Sequence, residues 1–539
     1  MKFTRVEIPD LVAALHQRGF TYIGPGWRGS MKFTGELKLK SHSHACELAV
    51  SPRLDEIPRV WLTPLPVGRH EIHPHLSANG YLCYLALDSV IFDFFDPIGQ
   101  TLRCLERAED VLESILAGEM TEDLAEEFHA TWGDTVCLVD VNEGKLGVQE
   151  AYSFGLKRVG VVTDDKARTR AKLEAIGGGL PPSMMAAVRV RTASQPMPLQ
   201  RDWPPKTVQD FLQWQSALDP ACRKKIENQL LRLYQRKAAR ALVIIESPVV
   251  QYGFDVEFKP ANAQPGKPTP LREAMYRLPI HPVSIYRIDD KYIAERNLPG
   301  GRTLAGLRIV LVGCGTIGGY LAEMLVKAGA GTARGQLTLV DMGSMEPNNL
   351  GRHRLGFPAL LKRKAVAMRE ELQRVAPGAN VVDICGDAKN AVLGQLDLLI
   401  DATGEQGLTD WLTWRYAANT PFLAAWVEGA GLAVRALLKA SAKHACSRCI
   451  SRPPLAAQYR VFDTPPDIII RGHGCEGLYV PFPASASIQA AALAMEMVQA
   501  WVDNADSPTF RTRVLDQSRA VQFKDCSPPR HEGCPACGT

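Results

Sequence analysis

Leu307-Arg308-Ile309-Val310-Leu311-Val312-Gly313-Cys314-Gly315-Thr316-Ile317-Gly318 reads as a buried strand, a glycine turn and the start of a helix. The helical pattern continues over Ile317–Ala330, and Leu337–Val340 forms a second apolar strand that ends in Asp341. A third, Leu396–Ile400, ends in Asp401. This alternation predicts a doubly wound parallel sheet whose ligand lies at the carboxyl ends of its strands. Gly313, Gly315 and Gly318 allow a tight turn and a close backbone approach, so phosphate oxygens can meet the helix N-terminus. Asp341 is placed for ribose hydroxyls. Alone, these features fit NAD, FAD and ATP equally.

The residues after Asp341 separate these ligands. Asn348, Asn349, Arg352, Arg354 and Lys364 precede the next helix. A hydride-transfer site needs an apolar face; amides and cations suit a triphosphate and a departing pyrophosphate. A dehydrogenase with a charged loop is the bland alternative. Further on, Cys446-Ser447-Arg448-Cys449 and Cys534-Pro535-Ala536-Cys537 are two Cys-x-x-Cys knuckles, which together can close a tetrahedral zinc site. Cys475 stands apart in Gly472-His473-Gly474-Cys475-Glu476-Gly477, before an Ala-rich helix at 484–500. Surrounding glycines keep a thiol accessible, and a helix N-terminus lowers its pKa.

The front of the chain has a different pattern. Ile8, Leu11, Val12 and Leu15 repeat at helical spacing, and alternating stretches follow at 33–39, 45–50 and 59–62. His73-Pro74-His75-Leu76-Ser77-Ala78-Asn79-Gly80-Tyr81-Leu82-Cys83 then precedes an amphipathic helix that starts near Asp96-Pro97. Between 126 and 285 lie turn-like stretches, a basic helix around Lys224–Arg240 and an apolar strand at 241–245. No chemistry is assigned to this middle region.

A chain of 539 residues predicts two to four domains. Lys and Arg exceed Asp and Glu by only 62 − 58 = 4, too little to argue for nucleic acid binding, and no nucleic acid partner is expected. No apolar run is long enough for a bilayer, and the N-terminus has no apolar signal core. Thirteen cysteines, several in Cys-x-x-Cys pairs, suit a reducing compartment, so the expected location is the cytoplasm.

Met345-Glu346-Pro347-Asn348-Asn349-Leu350-Gly351-Arg352-His353, eleven residues from Asp341 to Arg352, resembles the ThiF/MoeB and ubiquitin-activating superfamily. The stretch from His73 to Cys83 resembles the catalytic segment of ubiquitin-conjugating enzymes. Together they resemble the bacterial fused activating–conjugating enzymes of the ThiF-domain type, found among CBASS anti-phage operons. The resemblance implies three regions: a ubiquitin-conjugating-like α+β domain at 1–125, a linker domain at 126–285 and a Rossmann-like adenylating domain at 286–539. It also implies ATP and Mg2+ bound by Gly313, Gly315, Gly318, Asp341, Asn349, Arg352, Lys364 and Asp401. Lys364 falls one residue short of the family's phosphate lysine.

Two departures bear on metal binding. Gly343 stands where a second Asp is frequent, and Asp401-Ala402-Thr403-Gly404-Glu405 replaces Asp-x-Thr-Asp, leaving Asp401 or Glu405 as the magnesium carboxylate. Arg296 sits where relatives carry a phosphate-reaching arginine, in some from a partner subunit. Cys475 matches the thioester cysteine and Cys83 the conjugating one; His75 replaces the usual oxyanion-stabilising Asn. The implied partners are a protein ending in glycine (a CD-NTase or a ubiquitin-like protein), a target lysine or other amine, and a second copy of the chain. A sulfur-carrier adenylyltransferase with an inert front domain and a non-enzymatic scaffold are the alternatives.

Overall fold

The computed structural model describes residues 8–66, 72–77, 79–86, 89–93, 95–133, 135–141, 146–154, 159–179, 184–198, 203–258, 271–298, 300–452, 456, 458–462, 480–519 and 523–537. The chain divides into two compact units, Met1–Cys137 with Lys145–Val162 and Ser183–Tyr286, and Leu138–Gly144 with Thr163–Pro182 and Arg287–Thr539.

The first unit holds two sheets. Strands β1 (Thr21–Pro25), β2 (Met31–Lys38), β3 (Ser43–Val50), β4 (Arg59–Leu62) and β5 (Tyr81–Leu82) form an antiparallel meander in chain order. Helices α1 (Ile8–Gln17) and α2 (Pro97–Ala117) contribute to its core. In β2, Met31, Phe33 and Leu37 are buried among their more exposed neighbours, the alternation of a half-covered strand. Asp96 caps α2 by accepting the Gly99 N–H, and Pro97 occupies its first turn. Buried Leu105, Ala108, Leu112 and Ile115 form its inner stripe. Two short helices, α3 (Asp123–Glu126) and α4 (Phe128–Trp132), follow.

The second sheet is a closed seven-stranded barrel. Its strands are β6 (Thr135–Asp140), β7 (Gly147–Phe154), β8 (Val159–Thr163), β9 (Met184–Arg191), β10 (Arg240–Glu246), β11 (Gln251–Glu257) and β12 (Ile280–Arg287). Their order is β10-β11-β12-β6-β8-β7-β9, closing where β9 runs parallel to β10. Helices α6 (Val208–Leu218), α7 (Pro220–Gln235) and α8 (Leu271–Tyr276) join the aromatic core around Trp132, Phe211, Trp214 and Tyr252, whereas α5 (Lys166–Ala175) falls in the second unit.

In the second unit, α9 (Asp290–Glu295) leads to β13 (Arg308–Val312), α10 (Thr316–Lys327) and β14 (Gln336–Val340). Then come α11 (Lys364–Val375), β15 (Val381–Ile384), β16 (Leu398–Asp401), α12 (Gln406–Tyr416), β17 (Phe422–Glu428), β18 (Ala433–Lys439), α13 (Ser447–Ile450), a helix at Ala484–Val502 and β19 (Phe510–Val514). The sheet order is β15-β14-β13-β16-β17-β18-β19. The first five strands are parallel, and β18 and β19 add antiparallel edges. The chain leaves β13 for β14 on one side and later returns to β16 on the other, so the switch point lies at the end of β13. Val312 pairs with both Val340 and Asp401, which brings Gly313, Asp341 and Ala402 to one level. Among the described residues no helix is long and apolar enough to cross a membrane.

Candidate functional site

A cavity of about 610 Å³ opens at this switch point. Gly313, Gly315, Asp341, Asn349, Arg352 and Lys364 all line it, together with His353, Thr403 and Glu405. Gly313 has φ +89°, and a Cβ there would lie 2.9 Å from the Thr403 methyl. Gly318 is more constrained: a Cβ would come within 1.8 Å of the Gly313 carbonyl oxygen, so the first turn of α10 can press on the loop only without a side chain. The Asp341 carboxylate accepts the Cys314 and Gly343 N–H groups, each at 2.7 Å, and braces the loop from β14. Lys364 opens α11. A Cβ on Gly343 would lie 3.5 Å from its Nζ and 3.2 Å from an Asp341 oxygen, so the glycine leaves the lysine room beside the aspartate.

Arg352 donates to the Val480 carbonyl at 3.1 Å, and its guanidinium lies 4.4 Å from the Phe482 ring centroid. The backbone from Asn349 to His353 is one compact turn, since the Asn349 carbonyl accepts the N–H groups of both Arg352 and His353.

Gly318, Asp401 and Arg296 do not line the cavity. The Asp401 side chain is buried; it accepts the Thr403 N–H at 2.9 Å and the Thr403 and Thr409 hydroxyls. Burial raises its pKa despite these bonds. The exposed carboxylate at the cavity rim is that of Glu405, at the start of α12. Arg296 is exposed at the end of α9, where it donates to the Tyr292 hydroxyl at 2.8 Å, and it does not line the cavity.

Cys446, Cys449, Cys534 and Cys537 are buried, with sulfurs all within 4.8 Å of one another. Three of the sulfur–sulfur separations are 3.6, 3.7 and 3.7 Å. Tetrahedral zinc with Zn–S bonds of about 2.3 Å separates its sulfurs by about 3.8 Å, so the donor set fits that ion. The knuckle around α13 and the one near the C-terminus thus meet beside Phe510 of β19. Cys475 lies outside the described residues. Of the segment around it, the described flanking residues Val480 and Phe482 line the nucleotide cavity.

In the first unit Cys83 is half-buried just after β5. Its N–H donates to the His75 carbonyl at 2.7 Å, a bond that closes the loop carrying Gly80 at φ +88°. A Cβ on Gly80 would sit 2.4 Å from the Leu62 carbonyl oxygen, so the turn requires glycine. Burial, and then the nearby Glu127 carboxylate, raise the pKa of the Cys83 thiol.

His75 itself has φ +58°, a left-handed conformation uncommon outside glycine. Its Nε2 lies 2.9 Å from Asp123 and its Nδ1 2.6 Å from Glu127, which also accepts the His75 N–H at 2.8 Å. The ring, as placed, therefore has both nitrogens engaged by these carboxylates. Nothing local in the sequence ties Asp123 and Glu127 to a loop about fifty residues earlier.

Both regions match known protein families. Residues 292–536 match the ThiF family, and residues 43–136 match the prokaryotic E2 family B. A Pseudomonas aeruginosa protein named ATP-dependent ubiquitin transferase-like protein Cap2 is 46% identical over 538 residues, 99% of each chain. An Escherichia coli protein of the same name is 22% identical, with 89% of each chain covered. Among solved structures, E. coli MccB with ATP superposes at a TM-score of 0.33 and 18% identity, covering 44% of this chain and 67% of that one. This chain belongs to the family of ATP-dependent ubiquitin transferase-like proteins, enzymes that join ThiF and E2-like regions in one polypeptide.

Proposed function

We propose that the chain activates the C-terminal glycine carboxylate of a protein and passes it, through two cysteines, to an amine. The carboxylate attacks the α-phosphorus of ATP and pyrophosphate leaves. The Cys475 thiolate then displaces AMP to form a thioester. The Cys83 thiolate attacks that thioester and frees Cys475, and a lysine or other amine finally displaces Cys83 to leave an amide. The observation carrying this reading is the single cavity in which the glycine loop, Asp341, Asn349, Arg352 and Lys364 converge. Loop N–H groups and two cations suit a triphosphate and the charge of a departing pyrophosphate.

Magnesium, when bound, would neutralise phosphate charge, and the exposed Glu405 fits it better than the enclosed Asp401. Four buried thiols suit a closed structural zinc. His75 is a positioning residue: held by Asp123 and Glu127, it fixes the carbonyl that receives the Cys83 N–H. The regions at 1–125, 126–285 and 286–539 act as conjugating, linking and adenylating domains. Arg296 reaches phosphate across a homodimer. The donor is a CD-NTase or a ubiquitin-like protein, the setting is cytoplasmic anti-phage defence of the CBASS kind, and neither nucleic acid nor membrane takes part.

The test is non-reducing mass spectrometry of the protein with ATP, magnesium and native-host lysate, for wild type, Cys83→Ala and Cys475→Ala. A thiol-sensitive adduct on Cys83 that vanishes in Cys475→Ala supports the relay, and its mass identifies the donor. An adduct confined to Cys475 and indifferent to Cys83 would favour a sulfur-carrier adenylyltransferase. Absence of any adduct, with no ATP binding, would leave a scaffold.

A further inference from the structure

His353 borders the nucleotide cavity with its side chain almost wholly buried, and the relay just described gives it no task. Its two ring nitrogens have different partners. Nδ1 receives the Leu355 N–H at 3.0 Å and Nε2 lies 2.8 Å from the Cys314 carbonyl oxygen. A carbonyl can only accept and an N–H can only donate, so these partners select one tautomer: neutral, with the proton on Nε2. Through that ring the second residue of the glycine loop is tied to the segment carrying Asn349 and Arg352. The first turn of α10 also packs beside the ring, where a Cβ on Gly319 would stand 3.4 Å from His353 Cε1, the carbon between the two nitrogens.

We propose that His353 is a positioning residue for adenylation, a neutral strut that sets the phosphate loop and Arg352 at a fixed separation before nucleotide arrives. The proposal rests on the nucleotide reading above. Arg352 is the adjacent residue, and its guanidinium is already fixed against Phe482 and the Val480 carbonyl. Displacement of the loop relative to this cation would misalign the phosphates it grips, and an error of about 1 Å costs on the order of 100-fold in rate.

The strut also has a pH signature. Burial lowers the His353 pKa; of the charged groups near it, Lys364 acts in the same direction and Asp341 opposes it. The neutral form therefore persists through neutral pH. Protonation of Nδ1 at lower pH would set two N–H donors against each other at Leu355 and release the strut.

The experiment compares wild type, His353→Ala, His353→Leu and His353→Gln, measuring ATP·Mg2+ affinity, thermal stability and pyrophosphate exchange supported by native-host lysate. Glutamine can accept the Leu355 N–H through its carbonyl and donate its amide to Cys314, without a titrating proton. Alanine and leucine are expected to lower exchange by on the order of 100-fold. Glutamine is expected to keep it within about threefold and to lose an acid limb present in wild type. If leucine, which fills the space, matches wild type, or if glutamine fails as badly as alanine, the strut is wrong and the ring is only packing. If wild type binds no ATP·Mg2+, the nucleotide reading itself falls, an outcome separate from either of these.

Discussion

Cys83 sits where its ionisation is opposed twice, by burial and by the Glu127 carboxylate, with burial the larger cause. Its folded pKa is raised, so the thiolate fraction at neutral pH is small and grows as pH rises. Alkylation of Cys83 by iodoacetamide, followed by peptide mass spectrometry, should therefore increase steadily with pH to a midpoint above the usual thiol value of about 8.5. A midpoint at or below that value would contradict the geometry. Glu127→Gln removes the smaller cause and should move the midpoint down only part of the way. The same substitution alters the partner of His75 Nδ1 and of its N–H, so the Cys83 loop should also lose order, measured as faster amide exchange at Cys83. Cys83 was legible in the sequence because its signal is local, a His-Pro turn, a glycine and an apolar residue before the thiol. The clamp on His75 was not legible: its carboxylates lie 48 and 52 residues further on, and only folding brings them to the ring.

Elements decide what each loop glycine does. Gly318 is packed against a backbone oxygen, whereas a Cβ on Gly315 would meet nothing within 4 Å because it would point into open space. Gly318→Ala should thus cost about 3 kcal/mol of stability by forcing α10 off the loop. Gly315→Ala should melt like wild type yet weaken ATP binding, since the added methyl enters space that phosphate needs. Equal melting losses for the two would refute this division, and calorimetry decides it.

The cysteine knuckles act at the same scale. They bring the α13 turn and the C-terminal residues together beside β19. One zinc per chain should be released by thiol modification, with a fall in melting temperature, and Cys449→Ala should match the stripped protein. A wild-type chain holding no metal would end that reading.

The strand–loop–helix start and both knuckles could be read directly from the sequence, because each is a short pattern with one physical use. The barrel could not. Its strands run five to eight residues, and its closure depends on β9 meeting β10 across helices α6 and α7, a pairing that no local periodicity encodes. Asp401 shows the converse. The sequence marks its place at the end of β16, but the hydroxyls of Thr403 and Thr409 that turn its carboxylate inward are contacts made only by folding.

At the scale of the molecule, each sheet has a core built from its own stretch of chain. The meander's core runs from Leu11 to Ile115, the barrel's from Phe128 to Ile280, and that of the doubly wound sheet from Leu304 to Val498. Separate cores predict that unfolding is not one all-or-none event. Ligands provide the means to assign its stages. A ligand that binds only the native state of one core raises that core's stability by about 2.7 kcal/mol at a hundredfold excess over Kd. ATP·Mg2+ should therefore move only the calorimetric transition that contains residues 287–539, and zinc removal should lower that same transition. The transitions of the meander and the barrel should remain in place under both treatments. The opposing result is a single transition that moves as a whole with nucleotide. It would mean that the three cores unfold as one cooperative body, so that loading the adenylating site would stabilise the loop that carries Cys83. Such coupling would turn the proposed relay between the two cysteines from a sequence of independent reactions into a linked one, with nucleotide occupancy changing Cys83 reactivity in the alkylation experiment above.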